Sequence, residues 1–182
     1  MQKRLISGLL FSLFLAAIVL APQAQAQLVD VYRSNVHSNS TAFGTRVAGS
    51  WLTEGTFSVD LGCDGTIDVG PIPFNDAQTF GVGGSHLATN PANPNTNHGT
   101  WTKTGPFQIS GRDISFGLTD GALTSIAIIS FVFDFDRTFE NATSNFGAKV
   151  YLPTQDPLDP SEQPIACSIG QHTSARKVSA LE

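Results

Sequence analysis

The chain has 182 residues, 41% of them hydrophobic and 14% charged, with a formal net charge of −5. No basic cluster is longer than Arg176-Lys177, which excludes the clustered positive charge that holds nucleic acid or an anionic lipid surface. There is no phosphate loop, nucleophile elbow, haem or dinucleotide signature, so no short motif names a reaction and no cofactor is expected.

The first predicted element is a signal peptide over residues 1–26. Met1-Gln2-Lys3-Arg4 is its charged start, Leu5 to Leu20 its apolar run and Ala24-Gln25-Ala26 its small-residue cleavage site. That run is shorter than the roughly 20 residues of a spanning helix, and no later run matches it. The expectation is a cleaved, exported chain, periplasmic or secreted, with no membrane span after cleavage. Residues 27–45 read as an N-terminal extension and 46–182 as one β-barrel domain.

Beyond Ala26 no stretch sustains the i, i+3, i+4, i+7 spacing of an amphipathic helix, whereas short alternating runs recur between turn-forming residues. The pattern predicts an all-β chain with strands near 46–59, 66–69, 79–82, 99–104, 107–118, 122–135, 144–152 and 165–178. Asp64-Gly65 and Asp120-Gly121 supply the positive φ of tight turns. Two segments, "GGSHLATNPANPNTN" over 83–97 and "PTQDPLDPSEQP" over 153–164, are expected as long loops, because Pro opposes central-strand pairing.

Apolar residues before Gly111 (Phe107, Ile109) are odd-numbered, and those after it (Ile114, Phe116, Leu118) are even, which predicts a bulge at Gly111. The next strand shows a second parity change, from Ile126 and Ile128 to Ile129. "FVFDFDRTFE" then places Phe131, Phe133 and Phe135 on one face and Asp134 and Asp136 on the other. About eight antiparallel strands with one strongly apolar face predict a single up-and-down β-barrel, since closure removes exposed edges. Cys63 and Cys167 are an even pair in a chain expected to be exported, and are predicted to form a disulfide.

"VAGSWLTEGTF", with Gly49-Ser50-Trp51, resembles the first-strand signature of lipocalin-like barrels. The resemblance implies that Trp51 plugs the closed end and that a basic residue of the last strand, Arg176 in "HTSARKV", packs across it. From Val47 to Leu152, with its GxW, its "TGP" corner and its Asp-Gly hairpin, the chain is also similar to small exported bacterial proteins with lipocalin-like or allene-oxide-cyclase-like barrels. That likeness implies a fold and transfers no catalytic residue.

Asp134 and Asp136 lie two apart on one strand face, with Cα atoms about 6 to 7 Å apart. They would form an acid-base pair if that face lined a cavity, and a solvated outer face otherwise. His37, His86, His98 and His172 lack ligand spacing, so no metal site is expected. His98, before Gly99-Thr100-Trp101, would serve as a proton carrier at a barrel mouth, or else as a turn residue. Asp60, Asp64 and Asp68 lack the alternating ligands and final glutamate of a calcium loop. The leading expectation is a non-enzymatic binder of a small apolar molecule, with Phe131, Phe133 and Phe135 as its wall, or an accessory envelope or secreted component. One alternative is a cyclase or isomerase of the allene-oxide-cyclase type using Asp134, Asp136 or His98. The other is a structural or adhesive surface protein, expected if the two long loops form one exposed patch.

Overall fold

Alternating inward and outward side chains organise residues 49–177 into eight strands, seen in a computed structural model that describes residues 41–90 and 93–178. The expected signal peptide and residues 27–40 of the expected extension lie outside the described residues. The strands are β1 (Gly49–Leu61), β2 (Val69–Phe80), β3 (Ser85–Asn90), β4 (Asn93–Gly105), β5 (Gln108–Thr119), β6 (Ala122–Phe135), β7 (Asn141–Tyr151) and β8 (Ala166–Lys177). Each pairs antiparallel with the next, and β8 returns to β1, giving a closed up-and-down barrel. A helix, α1 (Thr41–Val47), precedes β1.

The barrel has one packed end. Trp51, Phe80, Trp101, Ile109, Phe133, Phe135 and Phe139 form a core there, closed by Phe43 and Val47 of α1. A seven-residue helix is marginal by itself, so packing holds it. The Phe43 ring lies 5.5 Å from Phe139, and the Trp51 indole N–H donates to the Val47 carbonyl at 3.1 Å. Trp101 donates its indole N–H to Gly81 O at 3.1 Å. Phe43 lies on the far side of the expected boundary at residue 46, yet it belongs to the barrel's core, and Arg46 and Val47 are helical rather than strand.

The other end is open. Its rim includes the β1–β2 loop, the β5–β6 hairpin and the 152–165 segment. Asp120 and Gly121 turn the hairpin with φ of 51° and 78°, the positive pair expected of Asp-Gly. The Cys63–Cys167 disulfide ties the β1–β2 loop to the start of β8.

Several expected features differ. Residues expected as strands at 66–69 and 79–82 give one strand, β2, from Val69 to Phe80. The 83–97 stretch contains β3 and the start of β4 instead of a long loop, with Pro94 at the start of β4, where proline's missing N–H costs little. The adhesive-surface alternative required that loop, so its premise is not met.

Gly111 is not a bulge. It pairs in register with Trp101 on one side and Phe131 on the other. The residue is small because a Cβ there would sit 2.2 Å from the Phe131 ring and 2.5 Å from Thr100 O. Nor does β6 change parity, since its pairing with β7 runs without a shift from Ile126 to Phe135. The even-numbered Ile114, Phe116, Ile126 and Ile128 point outward instead, and Ile128 and Tyr151 share a surface groove with Pro157, Leu158 and Pro160 of the 153–164 segment. Apolar outer residues covered by a proline-rich strap imitate a parity switch in sequence. On β4 the outer wall is polar, at Thr100, Thr102 and Thr104, while Leu52 of β1 and Leu87 of β3 are exposed apolar residues.

A one-residue irregularity that matters for the closed end lies on β8. Glu54 pairs with Ser174 and Gly55 with His172, while Ala142 pairs with Ala175 and Ser144 with His172, which leaves Thr173 as the extra residue against both neighbours. It flips the parity of the rest of the strand. Arg176 is therefore exposed, and the cation across the plug is Lys177, whose Nζ lies 5.8 Å from the Trp51 ring centroid and donates to Arg46 O at 2.7 Å. The expected role of Arg176 passes to its neighbour because a bulge shifts every later side chain to the other face.

Candidate ligand-binding site

The inward positions of β2 run Ile72, Phe74, Asp76, Gln78 and Phe80, apolar at both ends and polar between. Those of β5 run Ile109, Gly111, Asp113 and Ser115, changing from apolar to polar toward the open rim. Polar groups from these strands meet His86 of β3 and His172 of β8 inside the barrel. They border a cavity of ≈ 410 Å³ whose apolar walls include Phe57, Phe74, Ile129, Phe131, Phe133 and Phe146.

Three side chains form a chain of hydrogen bonds at one side. Ser144 Oγ meets His172 Nδ1, and His172 Nε2 lies 3.3 Å from Asp76 Oδ2. Gln78 Nε2 donates to the same Asp76 oxygen at 2.7 Å. Two arrangements complete the chain at the serine: the Ser144 hydroxyl donates to Nδ1, or Nδ1–H donates to Ser144 Oγ, and in either Nε2–H can donate to the carboxylate. His172 is held between phenylalanines, stacked at 5.5 Å on Phe133 and 5.2 Å from the rings of both Phe74 and Phe146. Asp76 Oδ1 is buried without a hydrogen-bond partner among the described residues.

These three have the residue types of a nucleophilic triad, but not its access. Ser144 is 2% exposed and does not line the cavity, whereas His172 and Asp76 do. The serine sits behind the imidazole and orients it.

A second pair lies across the barrel. His86 Nδ1 is 2.8 and 2.9 Å from the two oxygens of Asp113, and the pair is almost fully buried. The imidazole stacks on Phe80 at 4.6 Å and lies 4.6 Å from Phe131. A Cβ at position 99 would fall 1.9 Å from Asp113 Oδ1, so Gly99 leaves the space the carboxylate occupies. His86 Nε2 is buried without a partner among the described residues. Asp113 lines the cavity and His86 backs it.

Of the residues singled out from sequence, Phe131 and Phe133 line the cavity, while Phe135 belongs to the packed end, 5.2 Å from Trp51. Asp134 faces outward, is exposed and accepts from Gln108 Nε2 at 2.8 Å. Asp136 anchors the β6–β7 turn, accepting from Thr138 N and Oγ1, Glu140 N and Asn141 Nδ2. The Asn141 and Thr138 hydrogen bonds hold its carboxyl well below the usual range, and the turn it fixes gives Phe139 a left-handed φ of 61°. His98 is exposed on the outer face of β4, paired between Leu87 and Ile114. Neither aspartate nor His98 reaches the cavity, so the acid-base roles considered for them there fall away.

Asp60, Asp64 and Asp68 are occupied by the β1–β2 loop itself. Asp60 accepts the N–H groups of Asp64 and Gly65, Asp64 accepts that of Thr66, and Asp68 accepts that of Leu61. Among the described residues no group of three or more His, Cys, Asp or Glu is placed to hold a metal ion.

Asp76, Gln78, His86, Asp113 and His172 were not found from sequence. A partial signal was present in "IPFNDAQTF", where Ile72, Phe74 and Phe80 share the parity of Asp76 and Gln78, and in the parity of His172 with Gly170 and Ser168. For β4, buried Trp101 fixes odd positions as inward and His98 as outward. Comparison of the chain with protein-family models, with curated proteins and with solved structures finds no match, so the barrel and its cavity are described from their own geometry.

Proposed function

We propose that this protein is an exported, lipocalin-like barrel that binds one small, largely apolar molecule in the open half of its interior. The observation that carries this reading is the cavity of ≈ 410 Å³, walled by phenylalanines around a few hydrogen-bonded polar groups. That is the composition of a small-molecule site, and eight strands leave room for one such ligand. The Cys63–Cys167 bridge and the charged-then-apolar start of the chain support export. Trp51 at the closed end with a cation beside it supports the lipocalin-like assignment. The threonine-rich outer wall of β4 and the aromatic interior are the reverse of a lipid-facing barrel, which supports a wall facing water.

Native mass spectrometry of protein from its own source tests the reading. Wild-type protein is expected to carry a small molecule, and Ala127→Trp, which fills the cavity from β6, to carry none while keeping its melting behaviour. A clean apo mass, together with no uptake of an apolar environment-sensitive dye, would overturn it.

One observation favours a second reading. Asp76, supported by His172, presents a carboxylate to an apolar cavity, the setting of a general base in an isomerase or cyclase. If it abstracts a carbon-bound proton, the bound molecule gains deuterium when incubated in heavy water, and Asp76→Asn abolishes the exchange. A ligand recovered without label rules this out.

A further inference from the structure

We infer that the molecule held in the cavity is an organic amine with an apolar body, its ammonium group set against Asp76 and the neighbouring phenylalanine rings. This rests on the binding reading above and adds the charge of the ligand.

Among the described residues, the cavity lining contains the carboxylates of Asp76 and Asp113 but no Lys or Arg. A buried carboxylate is costly unless it is compensated. Asp113 is matched by His86, whose Nδ1 touches both oxygens. Asp76 is not matched in the same way. Its Oδ2 accepts from the Gln78 amide and lies 3.3 Å from His172 Nε2, a looser contact than the 2.8 and 2.9 Å from His86 to both oxygens of Asp113, and its Oδ1 has no partner among the described residues. The terminal torsion of an aspartate is broad and roughly two-fold, so the carboxylate can turn to meet a ligand whose ammonium takes over the hydrogen bonding of its oxygens.

The aromatic surroundings favour the same charge. Phe74 precedes Asp76 on the same face of β2 and packs edge-on with Phe57 at 5.8 Å and Phe146 at 5.5 Å. Ring faces carry negative potential and attract an ammonium, most strongly where water is excluded. An anion meets repulsion from both the carboxylates and the rings. A neutral hydroxyl gains a hydrogen bond yet leaves the carboxylate charge uncompensated. Only a cation satisfies the carboxylate and the rings together.

Isothermal titration with three probes sharing one body, phenylpropylamine, phenylpropanol and phenylpropionate, tests the inference at neutral pH. The amine is expected to bind at least about tenfold more tightly than the alcohol, and the acid not at all. Asp76→Asn is expected to bring the amine down to the alcohol's affinity and leave the alcohol unchanged. An alcohol or acid that binds wild-type protein as tightly as the amine overturns the inference, and this comparison needs no variant to fold. If none of the probes binds while an apolar dye does, the amine class is wrong and the binding reading survives. If the dye also fails, both fall.

Discussion

Replacing Cys63 and Cys167 together by serine removes a bridge that spans 104 residues of sequence between the β1–β2 loop and β8. A cross-link of that span restricts the unfolded chain by an entropy worth about 4.7 kcal/mol at room temperature. Unfolding the roughly 140 residues of α1 and the barrel releases about 2.1 cal/mol/K per residue, so the melting temperature should fall by about 16 °C. The bridge lies at the open rim, whereas Trp51 and Trp101 are buried at the opposite, packed end, 0% and 3% exposed. Below the transition, tryptophan emission should therefore be the same in both proteins. Differential scanning calorimetry on wild type and the double variant measures the first quantity, and emission spectra the second. A fall of less than about 4 °C would refute the loop-entropy argument. A red-shifted emission before melting would refute the claim that the packed end holds without the bridge.

Gly111→Val drives a side chain into the Phe131 ring and Thr100 O, 2.2 and 2.5 Å from where its Cβ would lie, and should cost about 1–3 kcal/mol in a urea titration. An unchanged midpoint would restore the bulge. Lys177→Ala should cost about 1 kcal/mol through the lost hydrogen bond to Arg46 O and the lost contact with Trp51, and Arg176→Ala less than about 0.5; equal effects would mean the parity of β8 has been misread. Phe43→Ala should cost about 3 kcal/mol and shift tryptophan emission to the red, since the ring seals the end that holds both indoles. Asp136 has a lowered folded-state pKa, so its stabilising contribution is complete above the ordinary carboxylate value near about 4 and is lost as pH falls further. Asp136→Asn should thus lower the melting temperature at neutral pH and flatten its decline in acid. An acid limb as steep as that of wild type would assign the loss to other groups.

Much of the architecture was legible because strand side chains repeat with period two. Ala122 to Phe135 could be read as a strand because it is flanked by Asp120-Gly121 and carries Phe131, Phe133 and Phe135 at alternate positions. The same period put Asp134 on the face opposite those phenylalanines, without saying which face was inside. β2 was harder, because Asp76 and Gln78 interrupt its apolar series and Gly70, Pro71 and Pro73 resemble a loop. β3 was hidden by its length, six residues among Asn and Pro.

The site was less legible than the fold for one physical reason. A barrel's interior is assembled from every strand, so its groups are contacts across long sequence distances. His172 and Asp76 are 96 residues apart, and His86 and Asp113 are 27 apart. No local spacing marks such pairs, while Asp134 and Asp136, two residues apart at the end of β6 and in the turn after it, attract notice and do not reach the cavity.

The sequence by itself determined the strand class, the barrel, the pairing of its two cysteines and the hairpin at Asp120-Gly121, each of which rests on local alternation, turn chemistry or a count of two. Only the tertiary structure decided that Lys177 rather than Arg176 lies over Trp51, because one extra residue at Thr173 turns the strand over. It likewise decided that the apolar series around Ile114 and Ile126 faces outward, and that the barrel keeps a cavity bordered by Asp76 and His172. Period two says which residues share a face, but the closure of the sheet says which face is inside.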